Sequence, residues 1–184
     1  MVPTEELKQE HQGILLMLRV LERLAAKIQS GEKAEADDLE RIVEFLRVFA
    51  DKCHHGKEEE LLFPAMERGG IPRERGPIGV MLQEHEEGRG YIREMAGALA
   101  RDKKGESAAL KDFAKEALRY HNLLTQHIRK EDQVLFPMGE RVLPGDVQAK
   151  LAEGFERIEV ERIGEGAHEK FHRLLEELEE KYLK

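Results

Sequence analysis

The chain has 184 residues, 40% of them apolar and 37% charged, with 30 Lys and Arg against 38 Asp and Glu for a formal net charge of −8. That length supports one well-filled core, and acidic and basic residues interleaved without a basic stripe argue against nucleic acid as a partner. Cys53 is the only cysteine, which excludes an internal disulfide framework and leaves the thiol to act as a small buried hydrophobe.

Apolar residues recur at helical spacing almost throughout and no stretch alternates with period two, so the chain is expected to be all-α. The stripe Leu7, Ile14, Leu15, Leu18, Leu21, Ala25, Ile28 predicts a first helix from Thr4, as N-cap, to about Gln29, ended by Ser30-Gly31. A second helix is expected from about Ala34 to Glu67 with a kink near Pro64, because proline removes a backbone hydrogen bond. A third is expected from Pro77 to about Arg101 and a fourth from Ser107 to about Glu140. Short connections favour antiparallel neighbours, which predicts an up-down-up-down four-helix bundle over residues 1–142. Residues 143–184 are read as a C-terminal helical extension, with a short helix near Val147 to Ala152 and a last helix from about Glu156 to Tyr182. This extension is expected to pack along the bundle or to offer a surface to a protein partner.

The start, MVPTEELKQEH, has no basic segment followed by an apolar one, and the most apolar run, GILLMLRVL, is broken by Arg19. A cytoplasmic protein without a membrane span is expected. Asn122 is the only asparagine while Glu, Lys and Arg abound, a usage that leans towards a thermophilic prokaryote.

The chain writes one pattern twice. Gln9-Glu10-His11 is followed at 54–64 by HHGKEEELLFP, and Gln83-Glu84-His85 by HIRKEDQVLFP at 127–137, offsets of 74 and 73 residues. Each half therefore holds a lone histidine (His11, His85) and a His-x-x-x-Glu pair (His54 and Glu58, His127 and Glu131). A separation of four places both side chains of a pair on one helix face. All six lie on the apolar stripes, where a glutamate needs a counter-charge, and bound cations would balance both at once. Imidazole with carboxylate and no thiolate suits a pair of iron or manganese ions, and zinc could substitute.

On these motifs residues 5 to 140 resemble the hemerythrin-like family, also called the HHE cation-binding domain. The resemblance implies that His11, His54, Glu58, His85, His127 and Glu131 hold a non-haem di-iron centre, oxo- or hydroxo-bridged, with the glutamates as bridges. Family members carry or sense oxygen, respond to iron, handle nitric oxide or repair iron–sulfur clusters. Oxygen carriers of the family bring a second histidine one turn from the lone histidine of the third helix, where this chain has Met81 and Arg89. The expectation is therefore open coordination and chemistry with oxygen, peroxide or nitric oxide rather than reversible oxygen transport. A sensor acting through a protein partner, or an iron store or donor, are the alternatives.

Helical phase places His55 at the bundle edge or in solvent, and His121 away from the site. His168 and His172 form an i, i+4 pair without further ligands. Glu10 and Glu84 are expected either to orient the ligand imidazoles or to face solvent. Gly88, matched to Ile14 of the first half, is read as close helix packing or as a gap admitting a small ligand.

Overall fold

The computed structural model describes residues 1–184 and contains helices and turns without a β-strand. Six helices form. Helix α1 (Pro3–Gln29) opens with proline in its first turn, where the missing N–H costs no bond. Val2 rather than Thr4 is the N-cap, and the Thr4 hydroxyl instead donates to Glu140 Oε1 at 2.7 Å. Helix α2 (36–68) is one continuous rod of mixed pitch, α-helical over Ala36–Phe45, π-helical over Leu46–His55 and Glu58–Leu62, and α-helical again over Phe63–Arg68. Helix α3 (Pro77–Lys103) is regular. Helix α4 (109–142) joins Ala109–Lys130 to Phe136–Val142 through a π segment, Glu131–Leu135.

The expected disturbance at Pro64 thus takes the form of a π turn, and it recurs before Pro137. A proline ring clashes with the carbonyl four residues back in an α-helix, and a widened turn moves that carbonyl aside. Gly31 and Gly70, at φ of 84° and 104°, let the chain leave α1 and α2. The following N–H groups of Glu32 and Ile71 then bond back to Lys27 and Met66.

The four long helices pack in ring order, α1 on α2 and α4, α3 on α2 and α4. Two further helices complete the chain, α5 (Gly145–Ile163) and α6 (Ala167–Leu183). The boundary differs from expectation: α5 runs on to Ile163, and the break falls at Gly164 and Gly166, both at positive φ. Helix α6 lies along α1 and adds Phe171, Leu174, Leu175 and Leu178 to the larger apolar cluster, while α5 adds Leu151 and Phe155 to the smaller one. No helix is long and apolar enough to cross a membrane.

Candidate metal centre

Between the two apolar clusters lies a band of buried polar side chains. His11, His54, Glu58, His85, His127 and Glu131 are each at most 2% exposed and converge from all four bundle helices. Glu58 Oε1 lies 3.2 Å from His54 Nε2 and its Oε2 3.2 Å from His85 Nε2. Glu131 does the same from the opposite side, with Oε2 at 3.2 Å from His11 Nε2 and Oε1 at 3.2 Å from His127 Nε2. The site therefore has the pseudo-twofold symmetry of the repeat. The motif phenylalanines close it, Phe136 stacking on His11 with centroids 5.5 Å apart and Phe63 on His85 at 6.0 Å.

Every one of these imidazoles is held from behind. His54 Nδ1 donates to Glu10 Oε2 at 2.7 Å and His127 Nδ1 to Glu84 Oε1 at 3.3 Å. His11 Nδ1 donates to Asp132 Oδ1 at 2.7 Å and His85 Nδ1 to Glu59 Oε2 at 2.9 Å. A carboxylate behind Nδ1 fixes the proton there and turns the Nε2 lone pair inward, as in metal-ligating histidines. Glu10 and Glu84 thus orient the paired histidine of a neighbouring helix, not the lone histidine beside them. Lysines stand behind both, Lys57 against Glu10 and Lys130 against Glu84.

With the lone pairs turned inward, Nε2 faces carboxylate oxygens that also carry only lone pairs. His11 Nε2, His54 Nε2 and all four oxygens of Glu58 and Glu131 are buried without a hydrogen-bond partner. Only a proton or a cation reconciles such contacts, and leaving them unmet costs on the order of 1–3 kcal/mol per group. The electrostatic field points the same way. Burial alone would lower His54 and His127, yet Glu58 and Glu10 hold the first, and Glu131 and Glu84 the second, up at about 10. Likewise burial would raise Glu10, but His54 and Lys57 bring it down to about 2. Ligand atoms gather in two sets, His11 with His54, Glu58 and Glu131, and His55 with Glu58, His85 and His127, each within 4.8 Å of one another. Metal–nitrogen and metal–oxygen bonds of about 2.0–2.2 Å let one ion span ligand atoms up to about 4.4 Å apart, so each set can close on one ion with modest movement.

His55 corrects the sequence reading. It is 4% exposed and stacks on His85 with centroids 3.8 Å apart, instead of lying at the edge. The 73-residue offset held the clue, because it aligns His55 with Ile128, an apolar position that is also buried. Asp132, Glu59, Lys57 and Arg89 were likewise missed, since each reaches the site across a helix interface that one helix's phase does not reveal.

The other candidates stay outside. His121 pairs with Glu22, His168 with Glu159, and the largely exposed His172 with Glu176, so the last two do not share a chelate. Cys53 is buried, which pushes its thiol up to about 12 and keeps it inert. A β-carbon on Gly88 would meet Tyr120 Cε2 at 3.4 Å and Leu124 Cδ2 at 3.5 Å, ordinary contact distances, so the space there takes a methyl group and holds no open gap. That settles Gly88 as close packing of α3 on α4. A surface groove of about 680 Å³ between α1, α2 and α6 is lined by Glu10 but by none of the six converging side chains.

Fold and site together define a helical-bundle protein with a buried histidine–carboxylate centre suited to metal cations. The chain belongs to the hemerythrin HHE cation-binding domain family, whose model matches residues 2–139. It is also similar, at 25% identity over 161 residues, to the uncharacterised proteins Mb2018 of Mycobacterium bovis and Rv1995 of Mycobacterium tuberculosis. The match covers 88% of this chain and 62% of each relative, so the chain spans less than two thirds of their length. No solved structure matches closely enough to add to this.

Proposed function

We propose that the protein holds two iron ions and uses them to react with oxygen, peroxide or nitric oxide. In this reading His11 and His54 would hold one ion and His85 and His127 the other, with Glu58 and Glu131 supplying the carboxylates. The observation that carries it is the set of four carboxylate oxygens, paired across the site and without partners, between two pairs of inward-turned imidazoles. An iron pair supplies redox chemistry and vacant coordination positions when bound. The protein's own contribution is to fix the imidazoles through Glu10, Glu59, Glu84 and Asp132, and to exclude water. Candidate ligands that are 0–2% exposed admit only a very small reactant. Manganese or zinc would fit the same donors.

A second reading is a sensor that signals through the C-terminal helices. It is favoured by one contact chain: Lys57, bonded to Glu10 behind His54, also donates to Glu159 of α5 at 3.3 Å, and Glu159 holds His168 of α6 at 2.5 Å. Metal analysis and optical spectra of protein purified without oxygen, before and after addition of oxygen, peroxide or nitric oxide, test the first reading. Two irons per chain and rapid spectral change are expected. Fewer than two metal ions per chain, or a reduced form inert to all three, would overturn it. Altered proteolysis of α5 and α6 upon reaction would favour the sensor.

A further inference from the structure

We infer that His55 is a fifth histidine ligand, to the ion held by His85 and His127, so that the two metal positions are chemically unequal. The inference rests on the two-metal reading above and adds a residue to it.

His55 shares with the other four imidazoles a carboxylate behind its Nδ1, though its Nε2 makes no matching contact with Glu58 or Glu131. Its Nδ1 donates to a carboxylate, Asp51 Oδ1, at 3.2 Å, which leaves the Nε2 lone pair free to bind. One ligand atom of His55 lies within 4.8 Å of ligand atoms from Glu58, His85 and His127. Its ring stacks on His85, 21° from parallel, and stands edge-on to His127 with centroids 5.7 Å apart. Arg89 locks the arrangement. Its Nε donates to both oxygens of Asp51 at 2.9 and 3.0 Å, and its Nη2 donates to Glu59, the carboxylate behind His85. One guanidinium therefore positions the supports of two histidines at once.

The repeat supplies an internal control. Under the offsets of 73 and 74, Asp51, His55 and Arg89 correspond to Leu124, Ile128 and Leu15. The other metal position thus has an apolar trio where this one has an acid, an imidazole and a guanidinium. Packing alone is satisfied by the apolar version, since Ile128 is buried without any polar support. Burying the His55 imidazole where an aliphatic side chain packs equally well is the costlier choice unless the ring has an occupant to meet.

The test is ⁵⁷Fe Mössbauer spectroscopy with metal analysis on the full chain, wild type and His55→Ile, the substitution copying the residue at the matched position. The wild type should hold two irons per chain in two unequal environments in equal amounts. His55→Ile should make the two environments converge and weaken binding of one ion about tenfold or more, leaving the other unchanged. Two equal environments in the wild type, or an unequal pair that survives His55→Ile, would overturn the inference. Should that variant fold poorly, a crystal structure of the metal-loaded wild type decides: His55 Nε2 at about 2.1 Å from an ion supports it, and beyond 3 Å refutes it. If the wild type binds no metal pair, the two-metal reading itself falls, an outcome distinct from a symmetric pair.

Discussion

Loading the centre with metal should raise the melting temperature, and replacing Glu58 or Glu131 by its isosteric amide should remove at least about half of that rise. Glu58 and Glu131 are fully buried, and their four oxygens have no hydrogen-bond partner, as is true of His11 Nε2 and His54 Nε2. At about 1–3 kcal/mol per unsatisfied group, the stripped centre carries a cost that cations would relieve. The gain seen in solution follows ligand linkage, roughly 4 kcal/mol when free metal exceeds its dissociation constant about a thousandfold. For a chain of this length about 1 kcal/mol moves the midpoint by about 2–4 °C, so a rise of about 8–16 °C is expected. Calorimetry on chelator-stripped protein and on the same protein reloaded with ferrous or manganous ion, without oxygen, measures it. Glu58→Gln and Glu131→Gln should each cut the rise by at least about half, because one charged bridge is lost. Taking the loaded-minus-stripped difference within each variant cancels any effect on the fold itself. His172→Ala, at a side chain 72% exposed, should keep the full rise. Equal rises in the wild type and both glutamine variants would refute the reasoning.

Three further outcomes follow from the packing. Lys57→Met should cost about 3–5 kcal/mol in urea unfolding, because fully buried Lys57 neutralises buried Glu10, whereas Lys130→Met at the matched, half-exposed position should cost below about 1 kcal/mol. Gly88→Ala should stabilise by up to about 1 kcal/mol, since helix propensity improves and the new contacts at 3.4 and 3.5 Å are ordinary, and stopped-flow oxidation by peroxide should be unchanged. Asp38 is buried, which alone would raise it, but Lys181, Tyr182 and Arg41 donate to it and hold it below the usual carboxylate range. Its stabilisation is therefore complete above about pH 4 and is lost as pH falls through its lowered value. The unfolding free-energy difference between wild type and Asp38→Asn should shrink as the solution is acidified below that point, and a difference that grows there would contradict the assignment.

Much of this architecture was legible because helical periodicity and the duplicated motif carry information locally. The four bundle helices and the convergence of six side chains follow from apolar stripes that run through His11, His54, His85 and His127. The carboxylates behind the histidines were less legible, because Glu59 and Asp132 each serve a histidine on another helix, and that pairing depends on how helices meet. The α5–α6 break was misplaced for a different reason: Glu156 to Tyr182 reads as periodic on both sides of Gly164, and only the positive φ values at Gly164 and Gly166 separate the two rods.

The departures from symmetry carry more about function than the symmetry does. Duplication alone would yield two equal metal positions, each with two histidines, a shared pair of glutamates and a lysine behind an outer carboxylate. Two changes break that equality, and they fall on opposite flanks. Lys57 is buried against α5, with its ammonium 5.6 Å from the Phe155 ring centroid and bonded to Glu159, so the flank of His54 is tied to the C-terminal helices. On the flank of His85 the apolar trio is replaced by Asp51, His55 and Arg89, whose charges lie closer to solvent at 16% and 24% side-chain exposure for the acid and the guanidinium. The two flanks of the centre thus differ in kind, one anchored by a lysine to the C-terminal helices and the other lined by the Asp51–Arg89 ion pair beside His55.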